Sequence, residues 1–321
     1  MRAVVQDRYG PPEVLRIGDI PPPELRDGEI LVRVIASTVS QTDVHGRAAH
    51  PFFWRFFAGL RRPRWRCLGV EFSGVVEEVA RGVTAFAIGD EVFGQPSTWF
   101  GAHAELLAIP ADGAIARKPA NVSFEGAAAV CDGASQALDT LRRAGAAPGR
   151  RIVVYGASGS LGTAAVQLGK HLGAHMTGVC GPAHVDLVRS LGADDVVDYT
   201  RDDFRAAGPV FDAVIDAVGK YAFVKARKAL RPGGVYVATD AGPYLESFLM
   251  LVPARLAGSR RLSFAMGRRR PDDVRMLADL MERGAFHPVV DRVYPLDEVA
   301  EAHRYVEGWH KAGNVVLSIA R

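Results

Sequence analysis

The stretch IVVYGASGSLG at residues 152–162 decides the fold of this chain. A run of β-branched apolar residues enters a glycine-containing turn and leaves into residues 163–173, whose apolar spacing is that of an amphipathic helix closed by a glycine. This order of elements predicts an anion site, because backbone N–H groups and the helix dipole both favour negative charge there. We expect Gly159 to admit a pyrophosphate and Gly162 to let the helix pack close to the strand.

The glycine turn departs from the usual dinucleotide fingerprint at one position. Its spacing is Gly-x-x-Gly-x-x-Gly, and Ala157 stands where the usual fingerprint has its first glycine. A second strand at residues 175–180 supplies the βαβ context that the fingerprint requires. The turn therefore predicts a bound dinucleotide rather than a plain βαβ connection. The candidate cofactor-binding residues here are Gly156, Ala157, Ser158, Gly159, Ser160, Leu161 and Gly162.

Length and composition are those of a globular enzyme. The chain has 321 residues, enough for one large or two ordinary domains, with 48% hydrophobic and 23% charged residues. Its three cysteines have no paired spacing, which excludes a disulfide framework and a four-cysteine zinc lobe and fits a reducing cytoplasm. Residues 1–6 read as a strand rather than a signal peptide, and no apolar run has the length of a membrane span. We expect a cytoplasmic protein with no membrane partner.

Basic residues are clustered although the net charge is only +3. One cluster, residues 55–66, is interleaved with aromatic residues, and a second covers residues 260–270. The first has the composition of a membrane-surface or single-strand nucleic-acid platform. Because the cofactor motif already requires nearby positive charge, we favour a loop over the cofactor cleft whose aromatics pack on substrate or core. No nucleic-acid partner is expected.

The chain changes its periodicity near residue 123. Before it, short strand candidates at residues 3–6, 29–36, 72–79, 91–94 and 104–109 are separated by proline and glycine turns, which predicts a folded-over sheet or barrel. Ser123 is a candidate N-cap of a helix reaching Ala144. Strands and helices then alternate, which predicts a parallel, doubly wound sheet. The strand candidates are 152–155, 175–180, 196–199, 213–216, 235–239 and 262–265, and the helix candidates are 160–172, 182–191, 202–207, 220–230, 244–257 and 272–284.

The end of the chain leaves this alternating block. Residues 289–294 and 315–319 read as strands around a helix at residues 296–308, and we place them back in the first domain. The predicted β-rich catalytic domain therefore comprises residues 1–122 and 286–321, with a dinucleotide-binding domain at residues 123–285 inserted between them.

Five further stretches carry a resemblance that covers nearly the whole chain. They are LGVEFSGVV at 68–76, FAIGDEVFG at 86–94, LGADDVVDY at 191–199, FDAVIDAVG at 211–219 and LRPGG at 230–234. In this domain order they resemble the medium-chain dehydrogenase/reductase superfamily, and within it the zinc-free quinone-oxidoreductase-like branch. The resemblance implies an α/β fold in which a doubly wound parallel Rossmann sheet is inserted into a β-rich, chaperonin-10-like (GroES-like) catalytic domain.

The branch assignment rests on the positions that hold the catalytic zinc in related enzymes. There this chain has Ser40, Val70 and Cys131, of which valine cannot ligate and serine is a poor ligand for zinc. Without that Lewis acid the substrate must accept hydride readily, as quinones and α,β-unsaturated carbonyls do by spreading charge over a conjugated system. The protein then needs hydrogen-bond donors where the oxyanion forms.

The resemblance implies three candidate catalytic residues. Thr42 and His45 match positions that pass a proton in zinc alcohol dehydrogenases, and His45 is a candidate general acid as well as a candidate capping histidine in a loop. Ser135 matches a threonine or serine that lies near the nicotinamide. Asp43 is expected to be structural and to tie down the loop.

The second strand favours NADPH over NADH. An acidic residue at its end would bind the adenosine ribose and repel a 2′-phosphate, and residues 178–184 contain none. His184, at the start of the next helix, is positioned to bind a phosphate. The resemblance places Tyr199 near the same phosphate and implies further cofactor contacts at Cys180, Ala217 and Val218.

Three functions stay open at this point. The first is an NADPH-dependent reductase of quinones or enones. The second is a metal-free alcohol or carbonyl oxidoreductase that uses a Thr42/His45 proton relay. The third is an NADPH-binding sensor or RNA-binding protein with little turnover. We also predict a homodimer, because the superfamily commonly pairs nucleotide domains edge to edge and residues 261–265 read as the edge strand.

Overall fold

The computed structural model of the chain describes residues 1–50, 52–240 and 262–319, with only the backbone of Phe53. The chain forms two compact units, and each is described by itself. The first consists of Met1–Asp132, Arg269–Gly284 and Pro288–Arg321, and the second of Gly133–Arg268 and Ala285–His287. The domain boundaries predicted at residues 122 and 285 stay a prediction, because compactness alone does not establish which segments fold independently. No described helix is both long and apolar enough to cross a membrane.

The first unit is built on a mixed β-sheet. Its strands are β1 (Arg2–Val5), β2 (Arg16–Asp19), β3 (Glu29–Val39), β4 (Phe72–Val79), β5 (Glu91–Gly94), β6 (Leu106–Pro110), β7 (Ile115–Arg117), β14 (Val290–Pro295) and β15 (Asn314–Ser318). Within the described residues, seven of them form one sheet in the order β14-β15-β3-β4-β5-β7, with β6 also paired to β3. Strands β1 and β2 form a separate antiparallel pair. The two late strands therefore return to the first sheet, as the sequence predicts.

The long strand β3 organises this unit because it is rich in β-branched residues, which favour strands. Its inward-facing side chains Ile30, Val32 and Val34 are buried together with Phe72 of β4. The helices are α1 (Gln41–Ala48), α2 (Arg55–Ala58), α3 (Phe124–Ala128), α8 (Pro271–Glu282) and α9 (Val299–Glu307), with 3-10 turns at Pro12–Val14, Phe52–Trp54 and Leu296–Glu298.

The second unit is a doubly wound parallel sheet, as the alternation of elements predicts. Its strands are β8 (Arg151–Tyr155), β9 (His175–Cys180), β10 (Asp195–Asp198), β11 (Phe211–Asp216), β12 (Leu230–Ala238) and β13 (Leu262–Phe264). All neighbours are parallel, in the order β10-β9-β8-β11-β12-β13. The helices are α4 (Cys131–Ala144), which begins at the boundary between the units, α5 (Ser160–His171), α6 (Val185–Ser190) and α7 (Phe223–Ala226), with 3-10 turns at Pro182–His184 and Phe204–Ala207.

Several predicted elements differ from the observed ones. The single helix predicted from Ser123 to Ala144 is two helices, although Ser123 does cap the first by accepting a hydrogen bond from Gly126 N–H at 3.1 Å. The segment containing Thr42 and His45 is helix α1 rather than a loop. The helix predicted at residues 244–257 lies outside the described residues.

Candidate active site

The glycine turn between β8 and α5 has the conformation that a phosphate-binding turn requires. Gly156 has φ +85°, a left-handed value that glycine adopts without strain, whereas Ala157 is not among the residues with positive φ. The N–H groups of both residues donate to Val179 O, at 2.9 and 3.0 Å. The turn therefore needs glycine at position 156, where φ is positive. Because Ala157 does not have a positive φ, alanine is accepted there.

The two remaining glycines of the turn, Gly159 and Gly162, have different structural roles. A Cβ on Gly159 would contact only Gly156 O, at 3.7 Å, so the space in front of this residue is open. A Cβ on Gly162 would lie 2.1 Å from Gly156 O and 2.7 Å from Ala157 Cα, so only glycine allows this approach of helix and turn. Open space at Gly159 beside the N-terminus of α5 fits a pyrophosphate, whose charge the first N–H groups of a helix favour.

The predicted cofactor residues gather at one edge of the parallel sheet. Cys180, Tyr199 and Ala217 follow or end β9, β10 and β11, so they lie with the turn after β8 at the carboxyl ends of the strands. Open α/β sheets bind ligands at this edge. His184 ends the 3-10 turn that follows β9. The structure therefore brings these predicted residues to one end of one sheet.

Tyr199 lies beside the turn that follows β9. A Cβ on Gly181 would be 3.3 Å from the Tyr199 hydroxyl, and the tyrosine itself is exposed. Its ring is 6.5 Å from that of Tyr155, which in turn stacks at 4.5 Å on Tyr221. Neither Tyr155 nor Tyr221 is among the residues predicted from the sequence. Tyr155 ends the strand before the glycine turn, which is a usable signal, whereas nothing local to Tyr221 marks this edge of the sheet.

Asp216 holds the segment that carries Ala217 and Val218. Its buried carboxylate accepts hydrogen bonds from the N–H groups of Val218 and Gly219, at 3.1 and 3.0 Å, and from the Tyr236 hydroxyl at 2.9 Å. Val218 packs so closely on Gly156 that a Cβ there would lie 2.1 Å from Val218 Cγ2. Burial raises the pKa of Asp216, although the hydrogen bonds by themselves lower it. We assign Asp216 the role of positioning the segment that carries Ala217 and Val218.

Helix α1 presents two of the predicted catalytic residues on one side. Thr42 and His45 are three residues apart, which places them on the same face of a helix, and both are half-buried. Between them, Asp43 is fully buried and accepts hydrogen bonds from Gly69 N–H at 2.8 Å and Ser40 N–H at 2.9 Å. Asp43 thus ties the start of the helix to the backbone near residue 69, as expected from the sequence.

Ser40 begins α1 as one half of a capping box. Its hydroxyl accepts from Thr42 N–H at 3.1 Å and donates to Asp43 Oδ2 at 3.0 Å. Such a box satisfies backbone donors at a helix start and is itself a stabilising device. The serine at this position is therefore engaged with the helix backbone.

Of the other two positions that would hold a catalytic zinc, only Cys131 carries a side chain that can ligate the ion. Val70 is fully buried, and Cys131 is buried with its pKa held well above the usual range, first by burial and then by the Glu71 and Asp132 carboxylates. In the described part of the chain, no group of three or more His, Cys, Asp or Glu side chains is arranged to hold a metal ion. The residues at these positions do not fit a catalytic zinc.

Glu71 joins two segments of the first unit. One carboxylate oxygen accepts from the Thr38 hydroxyl at 2.6 Å and the other from Asp132 N–H at 2.7 Å, at the first turn of α4. Burial, with the Asp132 carboxylate, raises the pKa of Glu71 to about 8. The same helix carries Ser135, which is buried, and its contact with a nicotinamide stays a prediction.

Comparison with known proteins identifies the family. A profile described as alcohol dehydrogenase GroES-like domain matches residues 26–120, and one described as zinc-binding dehydrogenase matches residues 191–317. An alcohol dehydrogenase of Geobacillus stearothermophilus is 30% identical over 353 residues, which cover 99% of this chain and 100% of the relative. The chain belongs to the medium-chain dehydrogenase/reductase superfamily.

Two further relatives place this medium-chain dehydrogenase/reductase in the quinone-oxidoreductase-like branch. A chloroplastic NADPH-dependent alkenal/one oxidoreductase of Arabidopsis thaliana is 29% identical over 329 residues, covering 99% of this chain and 79% of the relative. The quinone oxidoreductase of Coxiella burnetii superposes with a TM-score of 0.88 at 26% identity, covering 100% of this chain and 99% of the other. This member of the superfamily is an NAD(P)H-dependent oxidoreductase, and the fold inferred from the sequence is confirmed.

Proposed function

We propose that the protein is a zinc-independent, NADPH-dependent reductase of quinones or α,β-unsaturated carbonyls. One observation carries the proposal: the positions for catalytic zinc hold a capping serine, Ser40, and a buried valine, Val70. Without a Lewis acid, an isolated ketone is poorly polarised, whereas a conjugated acceptor delocalises the charge it gains. The named activities of the Arabidopsis and Coxiella relatives support the same substrate class.

We assign cofactor binding and protonation of the substrate to different residues of the chain. NADPH, when bound, supplies a hydride. The open space at Gly159 and the first N–H groups of α5 would hold its pyrophosphate, and Tyr199 and His184 would face its adenosine end. On α1, Thr42 and His45 share a face, so either can hold or donate a proton where negative charge develops on the substrate oxygen. Ser135 is proposed to lie near the nicotinamide.

The proposal is tested by following the loss of reduced-nicotinamide absorbance with a panel of acceptors. We expect turnover with quinones and enones and none with simple ketones and aldehydes. Equal turnover of simple aldehydes would favour the metal-free carbonyl oxidoreductase with its Thr42/His45 relay. Cofactor binding without turnover of any acceptor would favour the sensor or RNA-binding alternative, for which salt-dependent RNA binding is the further check.

Purified protein is expected to contain no stoichiometric zinc. Ser40 is committed to its helix cap and Val70 has no donor atom, so a single thiol would have to hold the ion. Elemental analysis after growth with added zinc measures this. One tightly bound zinc per chain, retained through dialysis, would refute the zinc-independent assignment.

We predict that NADPH binds more tightly than NADH, because no acid ends β9. Gly181→Asp should weaken NADPH binding roughly tenfold through repulsion of the 2′-phosphate, and should strengthen NADH binding. A Cβ fits at this position with a small movement of the exposed Tyr199 hydroxyl, 3.3 Å away. Fluorescence titration of both cofactors measures the change.

Gly181→Asn is the matched control, since it adds the same volume without charge. If the aspartate and asparagine variants lose NADPH affinity equally, the effect is steric. Equal affinity of the unaltered protein for the two cofactors would remove the argument from the missing acid.

We further propose a homodimer joined through β13 and a cytoplasmic location, which the three free cysteines favour. Strand β13 is the edge of the six-stranded sheet in the described residues. Ala265 N–H donates inward to Ala238 O at 2.9 Å. Since alternate residues of a strand point their backbone donors the same way, Ser263 N–H also faces β12 and Phe264 N–H faces outward.

Phe264→Pro should therefore break the dimer, because it removes the outward donor, whereas Ser263→Pro should disturb the pairing with β12 instead. Light scattering over a range of concentrations measures the mass. An unaltered protein at the chain mass of 34.5 kDa at every concentration would exclude the dimer.

A further inference from the structure

One surface segment of the first unit is unusual in both charge and exposure. Residues 44–70 contain six arginines and no aspartate or glutamate. Among the side chains of this segment that the structure describes, four large apolar ones are mostly exposed: Phe52 (64%), Phe56 (69%), Phe57 (67%) and Leu60 (59%). We call these four residues the apolar patch. The sequence favours aromatics packed on substrate or core. Phe52, Phe56 and Phe57 are exposed rather than packed on the core, and their packing on a substrate stays a prediction.

Hydrogen bonds and a glycine turn fix the backbone that carries the apolar patch. The Tyr9 hydroxyl makes hydrogen bonds of 2.7 and 2.8 Å to the carbonyls of Ala58 and Gly59. Gly59 has φ +113°, and a Cβ there would lie 2.2 Å from Arg62 O, so the turn after α2 requires glycine. Arg64 N–H closes the turn on Ala58 O at 2.7 Å. The fold therefore presents the patch outward by specific contacts.

Other aromatic side chains of the same segment point the opposite way. Trp65 packs edge-on against the buried Phe100 at 5.6 Å, and Trp54 packs on Trp99 at 5.8 Å. Trp54 and Trp65 attach the segment to the rest of the unit, while the four residues of the apolar patch are exposed to solvent. This division is that of an amphipathic surface element with an apolar outer face.

Positive charge lies immediately beside the apolar patch. Arg61 and Arg62 follow Leu60 directly and are exposed. Within the described part of the chain, neither has an acidic side chain at ion-pair distance. Arg66, by contrast, is paired with Asp7 at 2.5 Å. The two arginines are complementary to an anionic outer layer, and the exposed phenylalanines beside them are complementary to an apolar layer beneath it.

We propose, in place of the expectation from the sequence that the protein has no membrane partner, that the apolar patch and Arg61–Arg62 dock it onto the surface of a bilayer that contains anionic phospholipid. The arginines would meet the headgroups, and the patch would enter the boundary with the acyl chains. Stacking of a nucleic-acid base needs a free ring face, and at Phe52 this is disfavoured. The Arg55 guanidinium lies over the Phe52 ring at 5.3 Å, and Phe56 meets Phe52 edge-on at 6.3 Å. This docking does not depend on the proposed reductase activity.

The test is cosedimentation of the full-length protein with vesicles of phosphatidylcholine alone or mixed with phosphatidylserine. We expect binding to the mixed vesicles that weakens with salt, and at least roughly tenfold weaker binding to the neutral ones. Phe56→Ser/Phe57→Ser should reduce partitioning onto mixed vesicles by at least about tenfold. Ile88→Ser/Val293→Ser removes two exposed apolar side chains elsewhere on the same unit and should bind like the unaltered protein.

Two charge-reversal variants test the contribution of the arginines to vesicle binding. Arg61→Glu/Arg62→Glu should abolish binding to mixed vesicles, whereas Arg227→Glu/Lys228→Glu, with the same change in net charge at exposed positions of the other unit, should not. Circular dichroism melting confirms that each variant is folded. The proposal is overturned if mixed vesicles bind no protein, if the phenylalanine variant binds normally, or if both charge variants lose binding equally. Binding of single-stranded RNA in place of vesicles would also overturn it.

Discussion

Gly159→Val is expected to fold normally and to bind NADPH at least roughly 100-fold more weakly than the unaltered protein, a loss of about 2.7 kcal/mol or more. The backbone at this residue has φ −77° and ψ 177°, an extended conformation that valine adopts readily. A Cβ would meet only Gly156 O at 3.7 Å, so the first atom of the side chain finds open space in the apoprotein. The space that the isopropyl group fills is the space through which a pyrophosphate approaches the turn.

The expected loss is large because it combines steric exclusion with lost charge-assisted hydrogen bonds from the turn and the helix N-terminus. The change in stability should be small, since glycine at a helix start is replaced at a cost of about 1 kcal/mol or less. Fluorescence titration gives the affinity, and thermal melting gives the fold. Gly159→Ala is the graded control and should lose less affinity than valine. Normal NADPH binding by a folded Gly159→Val protein would mean that the turn has only a structural role.

The fold was predictable because its signals are local and periodic. The β8–turn–α5 motif and the alternation that follows it specify a parallel sheet, and the structure has one. Strand β2 was missed because its residues are exposed or half-buried and lack apolar alternation, and β7 because three residues are too few to show a period. Tertiary pairing creates both strands.

Helix α1 has a start signal in its sequence, the capping residues, that its apolar pattern does not reveal. Its few apolar residues obscure the helical period, so apolar patterning alone predicts a loop here. Ser40 and Asp43, three residues apart, nevertheless form a capping box, which is a helix-start pattern even when the acid is aspartate. The role of Asp216 had a weaker signal, because its partner Tyr236 lies 20 residues away on another strand. Positioning residues of this kind are visible only once strands are paired.

Gly162→Ala is expected to destabilise the protein by about 2 kcal/mol, although alanine is the better helix former. Replacing glycine by alanine inside a helix ordinarily contributes about 1 kcal/mol of stability. At Gly162 the new methyl group would lie 2.1 Å from Gly156 O and 2.7 Å from Ala157 Cα. Both contacts are with backbone, which cannot rotate away as a side chain would. Helix α5 must then move off the turn, and overpacking of this kind costs about 3 kcal/mol.

The measurement is the free energy of unfolding in denaturant, with Gly159→Ala as the control three residues earlier. The control adds the same methyl group where the nearest atom is 3.7 Å away, so its stability should stay within about 1 kcal/mol of the unaltered protein. The two variants thus separate the roles of the two glycines: one admits the cofactor and the other admits the helix. A Gly162→Ala protein more stable than the unaltered one would show that helix and turn are not in close contact, because only the helix-forming tendency of alanine would then remain.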